Sequence, residues 1–222
     1  MNTAAAAPPT FVFADLAGYT ALTEAHGDEG GASTASRFFE ITRRELSTSS
    51  RLVKTLGDGV MIVADSAPEG IRVAMAIARS VRTEPDFPAV RIGIHTGPAV
   101  EREGDFFGNC VNLTARVMAA AEPGQVLCTE PIAMVASVAG MIPPTSIGLA
   151  RLKHISHPIA LYELHADVGE QSPVYLDPVC RMRFGLKAVS VSIEHEGALV
   201  RFCSQTCCER FLAEPAAYLP IT

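Results

Sequence analysis

Two apolar runs meet at an Asp-Gly pair in RLVKTLGDGVMIVAD, residues 51–65, and this feature constrains the fold more than any other in the chain. Asp-Gly between such runs predicts a β-hairpin, because both residues tolerate the positive φ of a tight turn. The flanking sequence supplies the hairpin's neighbours. FVFAD, starting at Phe11, is an apolar run that enters an Asp and then a small-residue turn, which predicts a buried strand followed by a helix start. Gly30 and Gly31 interrupt the pattern, and residues 33–46 read as helical. Ile71, Met75 and Ala78 recur at helical spacing, while residues 89–95 alternate as a strand does. A helix over 109–121, capped by Asn109 after Gly108, is expected next. Residues 125–128 read as a short strand, Thr129-Glu130-Pro131 as a further helix start, and residues 160–164 as a closing strand. Strands alternate with helices, so the expected architecture is α/β or α+β around one central sheet. The polar stretch DVGEQSP, residues 167–173, marks a domain boundary, and residues 1–9 read as a disordered lead-in.

With 222 residues, 48% of them hydrophobic and 19% charged, the chain can build one sizeable core and a small appendage. Its net charge of -6 argues against a surface that tracks phosphates, so nucleic acid is set aside as a partner. No apolar run approaches the ~20 residues of a membrane helix. The start, MNTAAAAPPT, lacks the basic and apolar regions of a secretory signal. A soluble cytoplasmic protein without a membrane partner is expected, with its cysteines reduced. Four of the six, Cys180, Cys203, Cys207 and Cys208, crowd into the last stretch, which points to a separate module.

Several residues stand out chemically. Asp15 ends an apolar strand and Asp58 sits at the hairpin tip. If those strands are neighbours, two carboxylates converge at one sheet edge, an arrangement that suits Mg²⁺ or Mn²⁺ with substrate phosphates. Taken singly, Asp15 is equally a helix cap and Asp58 a turn former. Lys54 lies on the strand leading into the hairpin among Leu52, Val53 and Leu56, so it either snorkels out or meets a polar partner. Asp105 follows in the loop REGDFFGN and alone reads as a surface turn residue. Asn112 and Arg116 lie four apart on one helix face, where an Arg fork can bind phosphate; by themselves they also fit a solvated stripe.

The order of FADLAGYT, LVKTLGDGV, VRIGIHTGPAV and GDFFGNCVNLTAR changes these weights. Together they resemble the class III nucleotide cyclase catalytic domain, over roughly residues 10–166. The resemblance implies an α+β sandwich with a ferredoxin-like βαββαβ core, and an adenylate cyclase that converts ATP to cyclic AMP and pyrophosphate. By position it implies that Asp15 and Asp58 hold two Mg²⁺ or Mn²⁺ ions, with the backbone carbonyl of Leu16. Lys54 and Asp105 match the pair that recognises adenine, Asn112 the residue that orients the ribose, and Arg116 the one that steadies charge on the α-phosphate. Guanylate cyclases of this family differ at the positions of Lys54 and Asp105, so the pair favours ATP. A head-to-tail homodimer with shared sites is implied. The chain departs from several relatives at Pro98, which follows His95-Thr96-Gly97 where those relatives place a basic residue. It also has no clear match to a lysine near the closing strand; Arg151 and Lys153 are only nearby. The alternative is a catalytically silent domain that binds nucleotide and transmits a signal from the tail.

The tail, residues 174–222, contains DPVCRM, EHEGALVRFCSQTCCERF and EPAAYL, and resembles the YHS domain. Cys203 and Cys207 are four apart and able to share one metal, a Zn²⁺ or other transition ion, if a helix starts between them. Cys180 is a third candidate ligand, and Cys208, His195 or Asp177 a fourth. The competing expectation is that these cysteines are small buried apolar side chains.

Overall fold

The computed structural model describes residues 7–165, 174–185 and 188–218. The expected hairpin forms, as strands β2 (Ser50–Leu56) and β3 (Gly59–Ala64) near one edge of a seven-stranded sheet, but its two-residue turn is Gly57-Asp58, with Gly57 at φ 62° and Gly59 already paired in β3. Strand β1 (Thr10–Leu16) lies antiparallel beside β3. Between β1 and β2 runs a long helix, α1 (Tyr19–Glu45); helix α2 (Ala67–Thr83) follows β3. A two-residue strand, β4 (Phe87–Pro88), precedes β5 (Val90–Thr96), which pairs antiparallel with the free side of β1. The order β2-β3-β1-β5 with one helix on each crossover is the ferredoxin-like βαββαβ arrangement expected from the sequence.

The chain then makes a small hairpin, β6 (Val100–Arg102) and β7 (Asp105–Phe107), before helix α3 (Asn109–Ala119). Strand β8 (Val126–Thr129) joins the sheet parallel to β5, and helix α4 (Glu130–Val138) follows it. Strands β9 (Thr145–Ala150) and β10 (Ile159–Glu163) complete the sheet, whose full order is β2-β3-β1-β5-β8-β10-β9. The expected closing strand is therefore the penultimate one, and the exposed edge strand β9 carried no comparable apolar signal.

Both faces of the sheet are covered. Val12, Ala14 and Leu16 of β1 join Ile62, Ile92 and Ile94 in one core, which α1, α2 and α4 close. Phe11 and Phe13 point the other way, to Met61, Val63 and the α3 residues Cys110 and Val111. All six residues of β3 are buried, so a continuous apolar run rather than alternation marked it in the sequence. Helix α3 lies directly on β5: a Cβ on Gly93 would meet the Met118 backbone nitrogen at 2.3 Å.

Two local expectations are corrected. Helix α1 starts at Tyr19 rather than at 33, and bends at Gly27 (φ 78°) instead of stopping at Gly30 and Gly31. The bend brings Thr23 against Gly31, where a Cβ would sit 2.6 Å from the Thr23 hydroxyl, so the small residue serves a contact rather than a break. Asn109 is the first helical residue of α3, with Gly108 at the cap.

The C-terminal segment adds β11 (Val174–Leu176), β12 (Met182–Gly185), the hairpin β13 (Val191–His195) and β14 (Ala198–Phe202), helix α5 (Gln205–Ala213) and a 3-10 turn at Pro215–Ala217. Strand β12 pairs with β11 on one side and with β4 on the other. The Arg183 guanidinium donates to the carbonyls of Val81 and Arg82 near the end of α2, where a cation complements the helix dipole. Phe202, Phe211 and Val179 form a core that takes in Leu22 of α1. The expected linker, 167–173, and the first six residues of the expected lead-in lie outside the described residues. Among the described residues no helix is long and apolar enough to cross a membrane.

Candidate active site

The site begins with a register. Asp15 pairs with Gly59 of β3 and with Arg91 of β5. Paired residues share a sheet face, so Arg91 stands beside Asp15. Its guanidinium takes both carboxylate oxygens, at 3.0 and 2.8 Å. Burial pushes the Asp15 carboxyl above the usual carboxylate range, and Arg91 opposes that shift. Asp58, in the turn before Gly59, is also raised, by burial first and then by the nearby Asp15 charge; its own backbone N–H and that of Leu16 oppose the rise. The Leu16 side chain is buried in the sheet core, which leaves only its backbone at this end of β1.

Two half-buried carboxylates, one of them raised further by the charge of the other, make a hard oxygen donor set beside a backbone carbonyl. It fits a divalent cation of the Mg²⁺ or Mn²⁺ type, which would relieve the repulsion. Arg91 was not anticipated. Its only sequence signal was a charge inside the strand VRIGIHT, where the register that pairs it with Asp15 cannot be read.

Lys54 pairs with Met61, and Met61 with nothing polar, so the ammonium must reach along the same face for a partner. It finds Asp105 at the start of β7, with Nζ 2.5 Å from Oδ2. The other oxygen of Asp105 accepts the Phe106 backbone N–H at 2.8 Å. The Lys54 hydrogen bond, followed by that of Phe106, holds the Asp105 carboxyl below the usual range. Lys54 of this pair lines a cavity of about 320 Å³ together with Phe13, Phe106, Val111 and Asn112. Apolar walls with a few fixed polar groups are the usual character of a small-molecule site. Asn112 is exposed on the first turn of α3, and Arg116 lies one turn further, half-buried and without an ion pair among the described residues. Lys54 and Asn112 thus share one cavity, with Asp105 held to it through Lys54, while Asp15 and Asp58 do not line it.

Pro98 leaves β5 without extending it, and Arg151 and Lys153 are exposed beyond β9. In the tail, the sulfurs of Cys180, Cys203 and Cys207 converge, but Cys208 does not join them. It is buried in the apolar core with Phe202 and Phe211. The expected four-cysteine set is corrected on this point. The other candidates for a fourth ligand are also engaged elsewhere. His195 packs edge-on against Phe211, and Asp177 accepts the backbone N–H groups of Val179, Cys180 and Cys203. The fourth side chain at the cluster is His26, from α1.

Residues 4–141 match the adenylate and guanylate cyclase catalytic domain family. The chain is 35% identical over 123 residues to the pH-sensitive adenylate cyclase MT1302 of Mycobacterium tuberculosis, covering 55% of this chain and 31% of that protein. It is 37% identical over 121 residues to an adenylate cyclase of Streptomyces griseus, covering 54% and 30%. The match therefore spans about a third of the length of these curated relatives. Among solved structures, an adenylate/guanylate cyclase/hydrolase from Silicibacter pomeroyi superposes with a TM-score of 0.63 at 30% identity, over 72% of this chain and 96% of that one. An adenylate cyclase from Trypanosoma brucei shares the fold, with a TM-score of 0.67 at 23% identity over 75% and 91%. From its β1-to-α4 core the chain belongs to the adenylate and guanylate cyclase catalytic domain family.

Proposed function

We propose that this chain is an adenylate cyclase that converts ATP to 3′,5′-cyclic AMP and pyrophosphate. The observation that carries this reading is the Lys54–Asp105 pair, whose lysine lines the α3 cavity. A fixed ammonium donor beside a carboxylate acceptor matches the edge of adenine, which offers ring-nitrogen acceptors and an exocyclic amino donor. Guanine reverses that polarity with a carbonyl. Phe13, Phe106 and Val111 supply apolar walls for a base, and Asn112 stands where it reaches a ribose.

Asp15, Asp58 and the Leu16 carbonyl would hold divalent cations, which when bound lower the pKa of the ribose 3′-hydroxyl and offset phosphate charge. The 3′-oxygen attacks the α-phosphorus, the bond to the bridging oxygen breaks, and pyrophosphate leaves; the hydroxyl proton passes to solvent. Arg116 steadies the charge that grows on the α-phosphate oxygens. Arg91 keeps Asp15 ionised and aimed. Because the aspartates lie outside the cavity lined by Lys54 and Asn112, we place the complete site between two copies of the chain arranged head to tail. The segment from residue 174 is read as a small appended module of the YHS type. The motifs DPVCRM and FCSQTCCERF support that reading, and the core around Phe202 and Phe211 is completed by Leu22 of α1.

The deciding experiment incubates purified chain with Mn²⁺ and either ATP or GTP. Cyclic AMP is expected, with GTP the poorer substrate. No product above an Asp58→Ala control overturns the reading.

A further inference from the structure

The three tail sulfurs and the His26 ring are the one cluster of soft donor groups outside the nucleotide site among the described residues. The Cys203 sulfur lies 3.4 Å from that of Cys180, 3.9 Å from that of Cys207 and 3.6 Å from Nε2 of His26. All four donor atoms fall within 4.8 Å of one another. A tetrahedral zinc with Zn–S of about 2.3 Å and Zn–N of about 2.0–2.1 Å sets neighbouring sulfurs about 3.8 Å apart, and sulfur and nitrogen about 3.6 Å apart. The three separations measured from Cys203, 3.4, 3.9 and 3.6 Å, lie close to those values, and the sulfurs are unbonded to one another.

The surroundings hold the donors in place. Asp177, fully buried, accepts the N–H of Cys180 at 3.2 Å and that of Cys203 at 2.9 Å, so one carboxylate fixes the backbone at two of the cysteines. Ser204 caps α5 by accepting the Cys207 N–H at 3.2 Å. Cys207 therefore sits in the first turn, where free N–H groups favour a thiolate. Cys180 and Cys207 are buried and His26 is exposed, so the ion has a solvent path on the His26 side.

His26 does not belong to the tail. It lies near the end of the first straight stretch of α1, one residue before the Gly27 bend and after Leu22, which enters the tail core. Glu24, on the same stretch, pairs with Arg210 of α5. We propose that Cys180, Cys203, Cys207 and His26 bind one Zn²⁺ ion, and that this ion clasps the C-terminal segment to α1 of the cyclase domain. Three thiolates and one imidazole close the coordination shell, which suits a structural ion rather than a catalytic one.

The test uses the full chain, stripped of metal under anaerobic reducing conditions and titrated with Zn²⁺ alone. Elemental analysis is expected to give one ion per chain. Co²⁺ in its place is expected to show tetrahedral d–d absorption with thiolate charge transfer. Cys203→Ser abolishes binding. His26→Ala weakens it by at least about 10–100-fold in competition with a chromophoric chelator, since outer-sphere partners alone are worth that much. His26→Cys restores it. His26 is solvent-exposed, so metal-free His26→Ala and metal-free wild type should have matching circular dichroism, which separates ligand loss from misfolding. Zn²⁺ should also slow amide exchange in residues 19–26 of the wild type and leave them unchanged in His26→Ala. A wild-type chain that binds no Zn²⁺ overturns the proposal. So does a His26→Ala chain that binds as tightly as wild type, because the ion then belongs to the tail alone.

Discussion

Arg91 is the cation paired with Asp15, which the proposed cyclase needs ionised. Burial favours the protonated carboxyl, and the two guanidinium bonds offset that preference. Removing them, as in Arg91→Met, raises the Asp15 pKa further. A group needed as the anion is then lost at higher pH, so the acid limb of the pH–rate profile should shift upward while the alkaline limb stays put. An unchanged acid limb would assign Arg91 to structure alone. Lys54 and Asp105 give the matching prediction for base choice: Lys54→Glu should lower kcat/KM for ATP by about 10–100-fold, the cost of one or two lost charge-assisted hydrogen bonds. Steady-state kinetics with both nucleotides checks it. Lys54, Asp105 and Asn112 were legible in the sequence because their motifs occur in order. Arg91 and His26 were not, because each is defined by a contact across strands or between segments and has no local signature.

The elements were legible where burial wrote a pattern. The 51–65 hairpin and α2 follow from apolar runs and spacing, and α2 is N-capped by Ser66, which accepts the Glu69 backbone N–H. Strand β9 and the β6–β7 hairpin escaped notice because exposed or very short strands carry little apolar signal. Glu69 pairs with Arg72 one turn on in α2 and ties the helix to the loop after α1 by accepting the Ser47 hydroxyl. The Arg72 hydrogen bond comes first among the causes that lower the Glu69 carboxyl from 4.5 to about 2. A depressed carboxylate stabilises the fold fully above 4.5, and that contribution disappears as pH falls through about 2. Glu69→Gln should therefore flatten the acid side of the stability–pH curve and cost about 0.5 kcal/mol at neutral pH, read by urea unfolding. Gly93→Ala is the harsher change. Its methyl group would enter the α3 backbone at Met118, so a loss of about 3 kcal/mol is expected, with α3 and Asn112 displaced from the cavity. An unfolding midpoint equal to wild type would show that α3 can retreat at no cost.

For the whole molecule, the decisive arrangement is the separation of the Asp15–Asp58 pair from the cavity lined by Lys54 and Asn112. Asp15 and Asp58 cluster where β1 meets the hairpin turn, while Lys54 and Asn112 line a cavity that neither aspartate reaches. Along the Lys54–Met61–Phe13 pairing, Lys54 stands two strands from β1 and two residues below the Asp15 row. That offset is about 10 Å across the sheet and about 7 Å along it. One nucleotide bound to Lys54 of one copy can use the aspartates of the same copy only by crossing the sheet surface. A second copy, turned head to tail, could bring its own aspartates to the mouth of the cavity. The two arrangements make opposite predictions for mixed inactive chains. Asp58→Ala lacks one half-site and Asn112→Ala the other, and each homodimer should be silent. If the site is shared, a heterodimer carries both defects in one site and leaves the other site whole. An equal mixture should then recover about a quarter of wild-type activity: half the dimers are mixed, and each has one good site. Size-exclusion chromatography with differently tagged chains verifies that subunits exchange. Exchange without recovered cyclic AMP synthesis would place the whole site within one chain.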